Sequence, residues 1–493
     1  MASLEEIRQE RLKKIEGLKQ AGLNPYPVRT KRTHDIKDVL ADFAKLEKGK
    51  KAITLAGRLM AIRGQGAIMF VSLFDGTGTL QGILKKDDME ETNFTQFGEL
   101  ADIGDFIEIT GPVAVSKRGE NSLEVKNWTM LAKSLRSLPE KWHGLQDEEE
   151  RFRRRYLDIL GNPEVRAQVE RRSIFWQTIR EFLLKRGFLE VDTPILENTA
   201  GGAEAKPFVT HHNALDLDVY LRISPELWLK RLIVAGLPKV FEIGRVFRNE
   251  GMDAEHAQDY THMEFYWAYA DYEMGMKLTE EMYKEIAEKT FGTKKFTIKG
   301  FEIDLDKEWE RYDYLETIKA KTGVDVSKAD LAEIEAKLRE LGVEYDKQGF
   351  NLNRAIDNLW KYCRKQMAGP GFLVNVPVMM EPLAKRKADA PDFVERFQII
   401  LAGSEMGKGF SELNDPIDQA GRFAEQAKLR EAGDEEAQMT DNDFVEALEY
   451  GMPPTCGFGV SERLFSFLSD KPIRETQIFP LMRPKTLDID VIN

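Results

Sequence analysis

The stretch from Phe241 to Tyr266 constrains the fold of this chain most, because it predicts two neighbouring strands joined by a polar loop. Its sequence is FEIGRVFRNEGMDAEHAQDYTHMEFY, with an apolar run before the loop and an acidic, aromatic run after it. Arg248 and Glu250 stand two residues apart after the apolar run. Alternate residues of a strand point to the same face, so we expect these two side chains to project together. A guanidinium beside a carboxylate is suited to a nucleotide and a carboxylate substrate.

Length and composition bound the architecture and the compartment. At 493 residues and 42% hydrophobic content, the chain can bury more than one core, so we expect two or three domains. A formal net charge of −13 argues against general attraction to nucleic acid, so any RNA contact must use local basic patches. Cys363 and Cys456 are the only cysteines, which excludes a disulfide framework and fits a reducing cytosol. Without an apolar run of about 18 residues or a signal-like N-terminus, we expect a cytoplasmic protein with no membrane attachment.

The N-terminal part predicts a helix followed by a small β-barrel. Residues Ser3 to Ala21 carry apolar side chains near helical spacing, and Gly22 is a stop signal. Five strand-like runs follow between Ile53 and Leu131: ITLAGRLMAIR, AIMFVSLFD, TLQGILKK, DFIEITGPVAVSK and LEVKNWTML. Five such strands predict the partly open barrel of the OB fold, which binds oligonucleotides. A small barrel without a nucleic-acid role fits the same pattern.

From about Leu4 to Pro484 the chain resembles the class II aminoacyl-tRNA synthetases, in the subgroup that carries aspartyl-, asparaginyl- and lysyl-tRNA synthetases. The stretch 241–266 is similar to motif 2 of that class. FLEVDTPIL, centred on Pro194, is similar to motif 1, and GFGVSERLF, with Arg463, is similar to motif 3. HGLQD and RYLD resemble the hinge of lysyl- and aspartyl-type enzymes. The similarity is closest to the bacterial type of class II lysyl-tRNA synthetase.

The resemblance implies an α+β fold, with an N-terminal OB-fold barrel followed by a catalytic domain on a mixed, mainly antiparallel sheet flanked by helices. The expected divisions are a helical extension at 1–50, an anticodon-binding OB domain at 51–135, a hinge at 136–160 and a catalytic domain at 161–493. A charge-rich helical insertion is expected at about 306–366. Motif 1 builds the dimer interface in this family, so a homodimer is implied.

Activation of an amino acid joins two anions, its carboxylate and the α-phosphate of ATP, so cationic groups must lie between them. A guanidinium stays charged and binds oxyanions with two parallel donors, and the resemblance implies that Arg248 and Arg463 are catalytic. Positioning and charge stabilisation carry such chemistry without a nucleophile. The residues implied for ATP are Arg248, Glu250, His256, Tyr260, Glu405 and Arg463. Magnesium prefers carboxylate and phosphate oxygens, and the implied metal positions are Glu405 and Gln398.

Lysine is the expected amino acid, because its ammonium needs acidic groups at the end of its pocket. The residues implied for lysine are Glu226, Arg248, Glu264, Tyr266 and Glu412. Two carboxylates with a phenol would repel an aspartate side chain. In the OB domain, Arg58, Phe70 and Gln81 match anticodon-reading positions, with the ring stacking on a base, although Phe70 could equally belong to the barrel core. The implied reaction forms lysyl-adenylate from L-lysine and ATP and transfers lysine to the 3′ end of tRNA(Lys), releasing AMP and pyrophosphate.

Some positions depart from the family pattern, and two alternatives stay open. Gln398 replaces an acidic magnesium ligand, and Glu255 stands where a basic residue normally faces the ATP tail. The other departures are Asn127, Val376, Met379 and Lys408. An aspartyl- or asparaginyl-tRNA synthetase is the alternative enzyme, favoured by the pair Glu462-Arg463. A catalytically inactive RNA-binding descendant is the alternative from another class.

Overall fold

The computed structural model forms two compact units. The first comprises Met1–Arg151 and Tyr156–Gly161, and the second comprises Phe152–Arg155 and Asn162–Asn493. The residues that the structure describes are 3–64, 66–139, 147–251, 253–345, 350–434 and 436–484. Within the hinge expected at 136–160, residues 140–146, with the HGLQ of HGLQD, lie outside the described residues.

The first unit begins with the helix that the sequence predicts. Its helices are α1 (Leu4–Gln20), α2 (Ile36–Ala41), α3 (Phe43–Gly49) and α4 (Glu91–Leu100). Its strands are β1 (Ile53–Arg63), β2 (Ile68–Phe74), β3 (Thr79–Lys85), β4 (Phe106–Gly111), β5 (Val113–Val115), β6 (Asn121–Val125) and β7 (Asn127–Ala132). Ser3 caps α1 in a reciprocal pair of hydrogen bonds with Glu6, which satisfies two otherwise free donors of the first turn.

The seven strands are the five predicted ones, two of them interrupted. β4 and β5 are separated only by Pro112, which has no N–H to donate, and β6 and β7 only by Lys126. The sheet order is β5-β6-β3-β2-β1-β4-β7. Hydrogen bonds from Glu124 N to Pro112 O (2.9 Å) and from Lys126 N to Thr110 O (2.8 Å) join the two interrupted strands. The sheet therefore curls into the expected OB-fold barrel.

The helical extension and the barrel share one hydrophobic core. Leu18 of α1, Ile36 and Val39 of α2 and Phe43 of α3 are buried in the same cluster as the inward side chains of the barrel. Burial of these apolar side chains stabilises the helices against the barrel. A division at residue 50 therefore does not separate two cores.

The second unit contains the elements from Asn162 onward. Two short helices, α5 (Glu148–Arg153) and α6 (Arg155–Gly161), span the residues where the chain passes between the units. The later helices are α7 (Pro163–Leu184), α8 (Glu226–Val234), α9 (Tyr272–Phe291), α10 (Tyr314–Thr322), α11 (Leu331–Glu340), α12 (Leu352–Arg364), α13 (Pro416–Glu431), α14 (Asn442–Glu449), α15 (Arg463–Leu468) and α16 (Ile473–Thr476). Among the described residues, no helix is both long enough and apolar enough to span a membrane.

The strands of the second unit build one large sheet and three small ones. They are β8 (Leu189–Glu190), β9 (Leu196–Glu197), β10 (Val209–His212), β11 (Leu217–Leu221), β12 (Lys239–Phe247), β13 (Asp259–Ala268), β14 (Lys295–Ile298), β15 (Phe301–Asp304), β16 (Glu310–Asp313), β17 (Gly371–Val374), β18 (Val376–Pro377), β19 (Phe393–Val394), β20 (Arg396–Leu401), β21 (Ser404–Ser411) and β22 (Thr455–Ser461). The large sheet has the order β16-β17-β20-β21-β22-β13-β12-β8. Only β16–β17 and β12–β8 pair in parallel among these described strands, so the expected mixed, mainly antiparallel sheet is confirmed.

The segment 306–366 is not helical throughout. Residues Glu310–Asp313 form β16, which pairs with β17 at the edge of the large sheet. Helices α10, α11 and α12 follow. Leu338 of α11 and Trp360 of α12 are buried in the second hydrophobic core of this unit. The charge-rich sequence ERYD gave no apolar alternation, because its first two residues are exposed and its last two are only partly buried.

The central strands of the large sheet have two chemically different faces. Met263 and Phe265 of β13 and Phe458 of β22 point into the main core, which α7 and α9 cover. The alternate residues of β13, which include Glu264 and Tyr266, point to the opposite face. This face is the floor of the candidate site.

Candidate active site

A cavity of about 320 Å³ lies over the polar face of the large sheet. It brings together most residues that the sequence singles out: Glu226, Arg248, Tyr260, Glu264, Tyr266, Gln398, Glu405, Glu412 and Arg463. They come from α8, β13, β20, β21, α15 and the loops that follow β12 and β21. The predicted constellation therefore exists in space as one concave site.

Glycines of β22 create the room for this cavity. A methyl group on Gly457 would lie 2.1 Å from Glu412 Oε1 and 2.5 Å from the Tyr266 ring. On Gly459 it would lie 2.8 Å from His262 Nε2. Any larger residue at these two positions would occupy the space above the sheet. This explains why motif 3 carries glycine at alternate positions.

The register of β13 against β22 orients the cavity. Tyr266 pairs with Gly457, whereas His262 pairs with Ser461, next to the start of α15. Since a strand rises by roughly 3.3 Å per residue, Tyr266 and Tyr260 lie well apart along the floor. We name the part around Glu226, Glu264 and Glu412 the acidic end, and the part around Arg463 the cationic end.

At the acidic end, Glu264 accepts hydrogen bonds from three neighbours. Ser224 Oγ donates to Oε1 (2.6 Å) and the Tyr266 hydroxyl donates to Oε2 (3.0 Å). His262 Nε2 lies 3.3 Å from Oε1. Burial disfavours the charge of Glu264, but these hydrogen bonds outweigh it and lower its pKa. Glu264 is thus a fixed anion in a buried position.

Lys230 occupies the centre of the acidic end, and the sequence analysis did not identify it. Its ammonium is fully buried, donates to Glu226 Oε1 (2.6 Å) and forms an ion pair with Glu412. Burial raises the pKa of Glu226 to about 7 and that of Glu412 well above its usual range, against the effect of Lys230. The i,i+4 spacing of Glu226 and Lys230 in PELWLKRL, which places both on one helix face, was the available signal.

Glu412 is the least satisfied group at this end. Its Oε2 lies in the ion pair with Lys230, whereas its buried Oε1 accepts no hydrogen bond among the described residues. A buried carboxylate oxygen without a donor is costly. The arrangement therefore has capacity for one more donor, and an ammonium group from a ligand supplies both the charge and the hydrogen bonds.

Arg248 and Glu250 do not share a strand face, which corrects the sequence expectation. β12 ends at Phe247, so both residues lie in the following loop, where strand alternation no longer applies. The Arg248 guanidinium faces the cavity, 5.7 Å from the centre of the Tyr260 ring. Glu250 is exposed on the loop and lies outside the described lining.

His256 also lies away from the cavity. Its Nδ1 lies 2.7 Å from Asp253 Oδ2, and Asp253 accepts backbone hydrogen bonds from Glu255 and His256. The ring lines a separate hollow beside Phe479. The nucleotide contacts expected of Glu250 and His256 therefore stay predictions that require movement of this loop.

The two expected metal positions differ in what they offer. Glu405 lines the cavity, and its Oε1 accepts a hydrogen bond from Trp360 Nε1 (2.7 Å). Gln398 Oε1 instead accepts from the Arg396 guanidinium (2.6 Å). In the described ranges, no group of three or more His, Cys, Asp or Glu side chains is arranged to hold a metal ion. One carboxylate fits an ion shared with substrate phosphates, whereas an amide oxygen already held by a cation does not.

Lys408, which departs from the family pattern, forms an ion pair with Glu381 at the cavity. Lys408 Nζ lies 3.0 Å from Glu381 Oε2, and Arg396 Nε lies 3.3 Å from the same oxygen. Burial opposes the charge of Glu381, but the two cations outweigh it and lower its pKa. Nothing in this network explains Met379, which is exposed.

At the cationic end, Glu255 points inward rather than to solvent. Its carboxylate forms ion pairs with Arg463 and with Lys299. Burial opposes the charge of Glu255, but these two cations lower its pKa. The side chain that departs from the family pattern is therefore bound to the arginine of the third motif.

In the first unit, the expected base-reading residues lie on the outer face of β1, β2 and β3. Phe70 is 37% exposed and, with Gln81, lines a hollow of about 540 Å³, so it is not a core residue. Gln81 Oε1 accepts from Ser122 Oγ (3.0 Å). Arg58 stacks on Phe106, 4.2 Å from the ring centre, outside the described lining. Arg63 lines the hollow and was not predicted.

Comparison with known proteins gives the family. The model of tRNA synthetases class II (D, K and N) matches residues 147–483, and that of the OB-fold nucleic acid binding domain matches residues 53–131. The chain therefore belongs to the class II tRNA synthetases of this group. Curated relatives named lysine–tRNA ligase occur in Thermotoga maritima (44% identity; 98% of this chain and 97% of the relative) and Fervidobacterium nodosum (45%; 99% and 96%). Another curated lysine–tRNA ligase, from Thermoanaerobacter sp. strain X514, is 47% identical, and the match covers 98% of this chain and 97% of the relative. Within the family, the chain groups with the lysine–tRNA ligases.

Proposed function

We propose that the chain is a lysine–tRNA ligase that activates L-lysine with ATP and transfers it to the 3′ end of tRNA(Lys). The observation that carries this proposal is one cavity with buried carboxylates at one end and two arginines, Arg248 and Arg463, toward the other. The acidic end suits a cationic side chain, and the arginines suit a carboxylate and a polyphosphate.

In the first step, a carboxylate oxygen of lysine attacks the α-phosphorus of ATP, and the bond to the bridging oxygen of pyrophosphate breaks. Arg248 lies where it can neutralise both anions as they approach, since its guanidinium faces the cavity beside the Tyr260 ring. Arg463 would hold the departing phosphates. No protein nucleophile is needed, because positioning and charge stabilisation account for the rate enhancement. In the second step a terminal ribose hydroxyl of tRNA(Lys) takes the lysyl group and releases AMP.

Selectivity for lysine follows from the charges at the acidic end. With all groups ionised, Glu226, Glu264 and Glu412 carry three negative charges and Lys230 one positive charge. The four groups therefore have an excess of negative charge, which attracts an ammonium group and repels an aspartate side chain. The pair Glu462-Arg463 does not favour the aspartyl alternative, because Glu462 is fully buried, forms an ion pair with Arg172 and accepts from Gln477 (2.9 Å).

The residues present fit one magnesium ion, held by Glu405 together with the phosphates of ATP. Such an ion neutralises phosphate charge and orients the polyphosphate. The Gln398 oxygen accepts from Arg396, so we assign it no metal.

Features outside the cavity support the proposed partners and location. The sequence from 174 to 217, which contains motif 1, carries eight exposed apolar side chains: Ile174, Leu184, Leu189, Ile195, Leu196, Val209, Leu215 and Leu217. Exposed apolar side chains in the part of the chain that builds the dimer interface in this family support the homodimer. Phe70 and Gln81 in their hollow support reading of the anticodon. The free, buried thiols of Cys363 and Cys456 support a reducing, cytoplasmic location.

ATP–pyrophosphate exchange with each of the twenty amino acids tests this proposal, because it measures activation without tRNA. Exchange with lysine alone is the expected result. Exchange with aspartate or asparagine instead would overturn the substrate, and RNA binding with no exchange, in excess magnesium, would make the inactive descendant correct.

A further inference from the structure

Three separate parts of the second unit meet at Glu255. It lies in the loop between β12 and β13 and contacts Arg463, the first residue of α15, and Lys299, in the turn between β14 and β15. The side chains of Arg463, Glu255 and Lys299 are 20%, 33% and 46% exposed. All three side chains are therefore partly buried and partly accessible to solvent.

The turn fixes where Lys299 points. Lys299 and Gly300 both have positive φ, +51° and +81°, between the paired residues Ile298 and Phe301. Two such residues form the tight type I′ turn that matches strand twist. Lys299 Nζ also donates to Ser404 Oγ (3.0 Å) at the start of β21. The ammonium is thus directed toward the strand that carries Glu405.

A second hollow of about 210 Å³ lies beside these groups. Lys299, Glu255 and Lys471 are among its lining residues, and it shares Arg463 and Met406 with the main cavity. A ligand that reaches Arg463 from the main cavity therefore comes directly upon Lys299. An anion there would meet two cations and would compete with one carboxylate.

We infer that Lys299 is a further phosphate-binding residue, which contacts the β- and γ-phosphates of ATP and the pyrophosphate that leaves, and that Glu255 occupies the place of those phosphates before ATP binds. This inference rests on the proposed function. Arg463 cannot bind phosphate while Glu255 holds it, because the two anions would repel each other. Exchange of one anion for another keeps both cations paired throughout, which avoids the cost of an unpaired, partly buried charge. Lys299, in the turn between β14 and β15, thereby supplies the positive charge that the family pattern has at position 255.

Steady-state exchange kinetics of Lys299→Met test the inference. We expect the Michaelis constants for ATP and pyrophosphate to rise about tenfold, the size of one lost charged hydrogen bond. The constant for lysine and inhibition by AMP, which lacks the outer phosphates, should not change. Lys299→Arg should restore most of the loss. Lys295→Met is the matched control, because Lys295 lies in the same hairpin and pairs with Asp304 (3.5 Å) outside the described lining of the hollow.

The double variant with Glu255→Gln separates direct binding from support of the loop. Glu255→Gln alone should lower the Michaelis constant for ATP about threefold, because the competing anion is removed. If Lys299 contacts phosphate, Lys299→Met will raise the constant in the Glu255→Gln background as well. If it has no effect there, Lys299 acts only by holding Glu255, and the inference is wrong.

Failure of the inference and failure of the proposed function have different signatures. Exchange by the wild-type chain with an unchanged constant for ATP in Lys299→Met contradicts only the inference. Absence of exchange by the wild-type chain with every amino acid contradicts the proposed function itself.

Discussion

Charged groups at the acidic end of the cavity are buried, whereas those at the cationic end are partly exposed. Lys230 and Glu226 of α8 are buried together with Glu412, and the one ammonium pairs with both carboxylates. Glu255 and Lys299 lie on a loop and a hairpin turn at the rim. A buried network is costly to rearrange and so determines which amino acid fits. A half-exposed pair is weakly held and can exchange its anion for the substrate.

The largest expected effect is on stability, from Lys230→Met. Removal of the ammonium leaves Glu226 and Glu412 buried beside each other without a cation, which should cost about 3–5 kcal/mol of unfolding free energy. Urea denaturation at pH 7.5 measures it. Lys284→Met is the matched control, because Lys284 also pairs with a glutamate four residues earlier, at 2.6 Å, but near the surface; it should cost less than about 1 kcal/mol. Equal losses would show that burial does not distinguish the two ends.

Glu412→Gln should damage lysine binding next most strongly. The change keeps the shape of the side chain but removes the charge of the carboxylate whose Oε1 has no hydrogen-bond donor in the described structure. We expect the Michaelis constant for lysine in pyrophosphate exchange to rise roughly 10- to 100-fold, which corresponds to a charged hydrogen bond of about 1.5–3 kcal/mol. The constant for ATP should stay the same and serves as the internal control. A parallel rise of both constants would contradict separate roles for the two ends.

The pH dependence of lysine binding gives a third, smaller test. Burial raises the pKa of Glu226 to about 7 in the free protein. A bound ammonium favours the ionised carboxylate and lowers that pKa, so the part of the lysine affinity that depends on Glu226 is present above about pH 7 and is lost as the pH drops below it. The expected fall is at most about tenfold per pH unit, for one linked proton. Calorimetric titration between pH 6 and 8 measures it, and an affinity independent of pH would show that Glu226 does not titrate on binding.

Magnesium dependence is the smallest expected effect. Because Gln398 replaces an acidic ligand, we predict a higher magnesium requirement than in relatives, measured as the concentration for half-maximal exchange. Gln398→Glu should lower it only about threefold, since Arg396, which donates to Gln398 (2.6 Å), would pair with the new carboxylate. Saturation at an ordinary magnesium level that Gln398→Glu leaves unchanged would contradict the prediction.

The sequence predicted well wherever structure follows a local period. Alternation in the five barrel runs placed the strands within one or two residues, and alternation in β13 placed Glu264 and Tyr266 on one face. It failed at Glu250, because strand alternation ends at Phe247. It also missed β16, a four-residue strand whose partner β17 lies far along the chain.

The sequence by itself determined the family, the two-part architecture and most of the cavity lining, because these depend on spacing within short motifs. Only the tertiary structure decided which charges neutralise which. Glu255 and Arg463 are 208 residues apart, and Lys299 and Glu255 are 44 apart. Lys230 looked like an ordinary helix lysine until burial placed it between two carboxylates. Charge pairing depends on distance and burial, and neither can be computed from the order of residues alone.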